Sequence, residues 1–256
     1  MRRGATLMEA AASGSGRREP AGRLMLRCAT AHTTVVPMKI GVLGATGPAG
    51  SGLAARLASV GFEVVLGSRS KYRAMEVRDR IVQRWPDKEL LLEAGDNHEA
   101  SGDADVVVIA TPWDAAASTA SDCAREMEGK VVISMANALA KVGHEFQPLV
   151  PPRGSVAASV QAAVPKSLVS ATFHHVPAKE LGDLAHPVES DVLVCSDHPE
   201  ATKATLGIVS RVPDLRGVDA GELSNAAPIE AFAAVLLQVN VKYKTRVAIR
   251  FTGLPQ

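Results

Sequence analysis

The apolar positions of this chain alternate between two rhythms. From Lys39 to Leu43 (KIGVL) they run together, as in a strand buried on both faces, and at Leu53, Leu57 and Val60 they recur at helical spacing. The strand rhythm returns in Glu63 to Gly67 (EVVLG), Asp105 to Ala110 (DVVVIA) and Lys130 to Ser134 (KVVIS), with room for a helix between each pair. Such alternation predicts an α/β fold with a doubly wound, Rossmann-type parallel sheet.

Farther along, Ser155 to Val164 predicts a short helix, and Leu168 to Phe173 a strand that carries the following His174-His175-Val176-Pro177. Asp191 to Cys195 predicts a strand, and Asp197-His198-Pro199-Glu200 opens a helix with an N-cap, an early proline and a glutamate three residues on. Leu206, Val209 and Val212 suit its apolar face, and Leu215 to Val218 predicts a short strand. Pro228 to Tyr243 carries Ile229, Phe232, Val235, Leu236 and Val239 at helical spacing, fit for core packing or a dimer seam. Val247 to Phe251 predicts a last strand. The expected organisation is a nucleotide-binding domain over 38–173 and a second, smaller C-terminal α/β domain over 174–256, folded back on the first. Residues 1–37 are rich in Gly, Ser and Arg without a sustained period, and predict a disordered tail; a transit peptide is the other reading, against which Glu9 and Glu19 count.

Composition narrows the function classes. The 256 residues carry a net charge of +1, which argues against a nucleic-acid backbone or an acidic membrane surface as partner. No apolar run approaches the ~20 residues of a membrane helix. Cys28, Cys123 and Cys195 are odd in number and widely spaced, so they suggest neither a disulfide framework nor a zinc pattern, and a reducing cytoplasm is the simplest compartment.

The candidate chemistry starts at Met38 to Gly50, MKIGVLGATGPAG. Gly44, Gly47 and Gly50 follow a strand and precede a helix, with Ala45, Thr46, Pro48 and Ala49 between them. A glycine backbone there lets a pyrophosphate approach, and the helix directs free N–H groups and its positive dipole end at the phosphates. The spacing is one residue longer than GxGxxG, and an ordinary strand-to-helix turn is the plain alternative. An acidic residue ending the second strand would bind the adenine ribose of NAD, but none lies between Val64 and Met75. Ser68, Arg69, Lys71 and Arg73 stand there instead, fitting the 2′-phosphate of NADP or, more plainly, a solvated basic patch. In a doubly wound sheet the glycine turn, Ser68-Arg69, Thr111-Pro112 and Ala136-Asn137 should line one crevice. Trp113 is either a lid over it or a packed loop aromatic. Four residues after Tyr72 and Tyr243 stand Glu76 and Val247, which excludes the Tyr-x-x-x-Lys pair of short-chain dehydrogenases. His174 and His175, adjacent on a strand, would face opposite ways, so no metal site is expected.

With these residues in hand, Met38 to Leu254 resembles the NADPH-dependent F-420 reductase family, oxidoreductases that move hydride between NADP and the 8-hydroxy-5-deazaflavin coenzyme F-420. The resemblance rests on KIGVLGATGPAG, VVLGSRS, TPWDAA, SATFHHVPAKELGDL, SDVLVCSDHPEA and GVDAGELSNA, in that order. It implies a homodimer and a deazaflavin held over the nicotinamide between two domains. It places NADP contacts on Thr46, Pro48, Ala49, Ser68, Arg69, Arg73 and Pro112, makes His174 and Val176 the catalytic residues beside the stacked rings, with solvent, a nearby backbone group or His174 as the proton's route, and assigns the Leu223-Ser224-Asn225 turn to the deazaflavin side. The chain departs from the family at Pro48, where one backbone donor near the pyrophosphate is lost. Two other readings stay open: an NADPH-dependent reductase of another acceptor, such as a flavin, ferric ion or imine, and a non-catalytic NADP(H) redox sensor.

Overall fold

The computed structural model describes residues 38–254, so the expectation for residues 1–37 falls outside them. The first half follows the predicted rhythm in β1 (Lys39–Leu43), α1 (Pro48–Ser59), β2 (Glu63–Ser68), α2 (Lys71–Arg84), β4 (Val106–Ile109), α4 (Trp113–Asp122) and β5 (Val131–Ser134), and inserts an unpredicted β3 (Leu92–Asp96) and α3 (Asn97–Gly102) between α2 and β4. A hairpin of β6 (Leu139–Val142) and β7 (Glu145–Pro148) precedes α5 (Val156–Ala163), β8 (Leu168–Ala171) and the short α6 (Ala178–Leu181). The remainder is β9 (Ser190–Ser196), α7 (Pro199–Ser210), β10 (Leu215–Asp219), a single 3-10 turn at Leu223–Asn225 and the long α8 (Ala226–Tyr243).

Eight strands form one sheet in the order β10-β9-β8-β5-β4-β1-β2-β3. Neighbours are parallel throughout, except that β9 runs antiparallel to β8. The chain order reverses between β1 and β4, the place where open α/β sheets leave a crevice beyond their strand ends. Leu53 and Leu57 of α1, Val77 and Ile81 of α2, and Ile208 and Val209 of α7 pack on one face. Ala116 and Ala120 of α4, Val160 of α5 and Ile229 of α8 pack on the other. The sheet thus continues unbroken past residue 173.

Three local expectations are corrected. Val247 to Phe251 is irregular, not a strand. β8 covers β9 only at Ser170–Ala171, and along the uncovered half of β9 the tail makes a single backbone bond, from Asp191 N–H to the Ile249 carbonyl, too few for a ladder. The N-cap of α7 is His198, and Asp197 instead accepts from Leu223 N–H at 2.9 Å. His174 and His175 lie in a turn beyond β8, because Phe173 has φ of 62° and ends the strand.

Candidate functional site

The glycine turn is built by packing at one residue and left open at another. Gly44 has φ of 83°, and a Cβ there would stand 2.7 Å from the Thr111 backbone nitrogen, so the fold itself demands glycine. Gly47 has an ordinary φ of −79° and caps α1. A Cβ on Gly47 would meet nothing closer than 3.7 Å. Packing does not explain this glycine; an open backbone facing the first turn of α1 is what a phosphate requires. α1 has no side-chain cap and no acidic residue in its first turn, and Ser51 N–H already bonds to the Gly47 carbonyl. Pro48 is the first helical residue, where a missing N–H removes one of the donors that helices leave unpaired. Ala49 and Gly50 keep theirs.

The N-terminus of α2 is also uncapped by any side chain, has no acidic residue in its first turn, and is flanked by cations. Lys71 is already paired with Glu99 at 2.7 Å. Arg69 and Arg73, both exposed, have no carboxylate within salt-bridge reach among the described residues. Ser68 is buried at the end of β2, and its Oγ accepts from Ser70 N–H, leaving its own proton to donate. The structure therefore separates the four polar residues of this turn into three that are available to an anion and one that is engaged.

Across the switch point, Thr111 follows β4, Pro112 caps α4, and Trp113 opens that helix half-buried against the core, as a packed aromatic. Ala136 is buried just beyond β5. Asn137 grips the turn after β8: its Nδ2 donates to the His174 carbonyl at 2.7 Å. The amide oxygen must then face the ring, so His174 Nδ1–H donates to Asn137 Oδ1 at 3.0 Å and Nε2 keeps a bare lone pair. His175 is set the opposite way, since its Nε2–H donates to the Asp191 carbonyl at 3.1 Å. Burial first, and the neighbouring His175 second, hold His174 neutral with its pKa pushed down to about 3. Burial lowers His175 as well.

Five buried side-chain atoms among the described residues have no hydrogen-bond partner: Asn97 Oδ1, Thr111 Oγ1, Ser134 Oγ, His174 Nε2 and His175 Nδ1. All five lie at the carboxyl edge of the sheet, on or just beyond β3, β4, β5 and β8. An unpaired buried group costs about 1–3 kcal/mol, and their concentration on one edge fits a ligand site. Beside the two histidines a cavity of about 320 Å³ is lined by Ala49, Met135, Asn137, His174 and Val176, and closed by Leu236 of α8 and Val247 of the tail. Its size and apolar walls suit a planar ring system.

The Leu223-Ser224-Asn225 turn is not brought to this crevice within one chain. Because β9 reverses, β10 and the turn end at the opposite edge of the sheet, where Leu223 is buried and Asn225 Nδ2 bonds to the Ala220 carbonyl. Only about ten residues later, ~15 Å along the helix axis, does α8 reach the pocket with Leu236, Leu237 and Asn240. Sequence reading also passed over Asn97, Lys179 and Arg246. The capping box of Asp96 and Glu99 was the available signal for the α3 start that places Asn97; nothing comparable marks Arg246.

Residues 39–138 match the family model described as NADP oxidoreductase coenzyme F420-dependent. The F420-dependent NADP reductase of Methanocaldococcus jannaschii is 36% identical over 228 residues, covering 85% of this chain and 99% of that protein. The F420-dependent NADP reductase of Methanothermobacter marburgensis is 31% identical, covering 86% of this chain and 100% of its own. A solved structure from Arthrobacter sp. FB24 superposes with a TM-score of 0.70 at 22% identity, covering 84% of this chain and 100% of that one, which speaks to the fold alone. Matched over 85–86% of its length to relatives that are themselves covered almost entirely, the chain belongs to the F420-dependent NADP reductase family.

Proposed function

We propose that this chain transfers hydride between NADP(H) and coenzyme F-420, with Ser68, Arg69 and Arg73 on the 2′-phosphate and Thr46 to Gly50 on the pyrophosphate. Thr111, Pro112 and Ala136 then border the nucleotide, and the two rings meet in the cavity beside Asn137, His174 and Val176. The observation that carries the NADP half is the pair of unpartnered arginines at an α2 start without an acid. The site is reversible, and metabolite ratios set its direction.

When bound, NADPH supplies the hydride and the deazaflavin accepts it together with one proton. The protein's share is positional. Uncapped N–H groups of α1 hold the nucleotide, Asn137 fixes the turn of His174, and Met135, Leu236 and Val247 exclude water from the ring cavity. His174 is a positioning residue here: with its ring neutral and Nδ1–H engaged, it holds no proton to give near neutral pH. The division at residue 173 is kept as a functional one, the first part holding NADP and the second closing the deazaflavin side. The Leu223–Asn225 turn then serves that side from a partner subunit. α8 supports a homodimer, since Ile229 and Leu236 of its apolar stripe are buried while Phe232 and Val235 stay exposed. Sedimentation at the mass of one chain would remove that part. No described helix is long and apolar enough to cross a membrane, and the free, buried Cys123 and Cys195 suit a cytoplasmic enzyme.

The direct test mixes the protein with NADPH and F-420 and follows the visible absorbance of the oxidised deazaflavin. Rapid bleaching with NADPH, and little with NADH or a free flavin, is expected. NADPH binding without bleaching would move the reading to another acceptor or to a redox sensor.

A further inference from the structure

α1 meets the ring cavity at one end and, through a single buried side chain, holds part of the cavity's wall from the other. Ala49 in its first turn lines the cavity beside His174. Arg56 lies in its last turn, 5% exposed, with its guanidinium turned into the connection between β8 and β9. Nε donates to the Leu181 carbonyl at 3.2 Å, and Nη2 to the carbonyls of Glu180, Asp183 and His186 at 2.8, 2.5 and 3.0 Å. Two protons on Nη2 serve three acceptors, so at least one is shared. No carboxylate comes within salt-bridge reach of Arg56 among the described residues. An apolar residue at 56 would pack α1 on the core without burying a charge, but would leave these carbonyls without their donor. Arginine is the side chain whose rigid fork reaches several acceptors at once.

Gly52, one turn earlier on α1, closes the same contact. A Cβ there would stand 2.7 Å from the Ala178 carbonyl oxygen and 3.1 Å from the Gly182 nitrogen, so α1 and α6 meet backbone to backbone. α6 follows directly on His174-His175-Val176-Pro177, and His174, Val176, Pro177, Ala178 and Lys179 form one wall of the ring cavity. Apart from α6 that wall is irregular, so its position depends on what grips it. Asn137 holds His174, the Asp191 carbonyl holds His175, and Arg246 pairs with Glu180. The remaining grip on the stretch is Arg56, from the core side.

We propose that Arg56 is a positioning residue for hydride transfer: it ties the cavity wall at 174–179 to the helix whose first turn carries the nucleotide, so that wall and nicotinamide keep one spacing and the two rings meet in register. The proposal rests on the function argued above and deepens it. Arg56 does not line the cavity and acts on the rings only through the wall.

The test uses Arg56→Lys in the full chain, which keeps a cation and loses the planar fork. Single-turnover bleaching of F-420 is followed with NADPH and with NADPH deuterated at the transferred hydrogen. NADPH affinity is measured separately, and amide hydrogen exchange is measured on the protein alone. A misplacement of about 1 Å costs about 100-fold in rate, so a smaller shift should slow transfer roughly tenfold or more. NADPH should bind as before, deuterium should slow the variant at least as much as the wild type, and amides over 174–188 should exchange faster while those over 46–50 do not. A merely structural role would instead leave fewer active molecules, lowering the amplitude of the bleaching and not its rate. Arg211→Ala is the comparator: exposed on α7, Arg211 binds the Val60 carbonyl just beyond α1 at 2.8 Å without touching the wall, and transfer should keep its rate. An unchanged rate in Arg56→Lys, or equal losses of rate and NADPH affinity, would overturn the proposal. Should that variant fail to fold, Gly52→Ala decides, because its Cβ displaces the Ala178 carbonyl and leaves Arg56 in place; the same slow transfer supports the proposal and an unchanged rate overturns it. Wild-type protein that binds NADPH and transfers nothing overturns the function and this role together, and is told apart because the wild type itself fails.

Discussion

Replacing Arg69 and Arg73 together with alanine is expected to weaken NADPH binding about 100-fold and to leave NADH binding nearly unchanged. A hydrogen bond to a charged group contributes roughly 1.5–3 kcal/mol. Both guanidinium groups are exposed in the free protein, so the low end of that range applies twice, and ~3 kcal/mol is about two decades of affinity. NADH lacks the 2′-phosphate and feels only the loss of distant charge. Lys71→Ala is the internal control: its ammonium already belongs to Glu99, so NADPH should lose little. Titration of the wild type and the two variants with both nucleotides checks this, and equal losses for NADPH and NADH would refute the 2′-phosphate assignment.

The second large effect concerns Asp191, fully buried on β9 and surrounded by donors. Arg216 Nε and Nη2 bind its two oxygens at 2.8 and 2.7 Å, Arg250 Nη1 donates at 3.2 Å, and the Phe251 N–H donates at 2.5 Å. These contacts, led by Arg216, hold its carboxyl down at about 2. They fasten the irregular tail that delivers Arg246 and Val247 to the cavity beside His174. Breaking a buried pair costs about 3–5 kcal/mol, nearer 3 here because Arg216 is one-third exposed. Asp191→Ala should therefore melt roughly 6–12 °C below wild type. A difference under 2 °C, with full deazaflavin affinity, would show that the tail is held by other means.

Acid should act on the same region in two stages. His174 has its pKa lowered from 6.5 to about 3, so the unfolded chain binds its proton first and stability falls as pH drops through that window. Asp191 contributes above its usual pKa of 3.8, and its share is lost as pH falls toward about 2. Loss of stability should thus begin below about pH 6.5 in wild type and in Asp191→Ala alike, with the stage near pH 4 to 2 missing from the variant.

How far the sequence could be read depended on how continuous each signal was. β1, β2, β4 and β5 announce themselves because strands buried on both faces need unbroken apolar runs, and α1 follows from a strand, three glycines and a helical period. β3 escaped because it is an edge strand of sequence LEAGD in which only Gly95 is buried. The β6–β7 hairpin escaped because its residues are largely exposed. The proposed NADP side of the site was legible from Gly47, Ser68 and the two arginines, whose placement follows from local chain geometry. The proposed deazaflavin side was not. Arg246 and Leu236 reach it only through the reversal of β9, a pairing between distant segments with no local mark. The same reversal carries Leu223 away from the place the resemblance suggested within a single chain.

The five unpaired atoms at the carboxyl edge bear on how such a protein evolves. Substitutions that fill or neutralise them, for instance an apolar residue in place of Ser134, would make the unliganded chain more robust. A lineage selected for durability alone would therefore erode this edge before any other part of the sheet. Asn97, Thr111, Ser134, His174 and His175 therefore stand together against the direction in which stability alone would drive this edge.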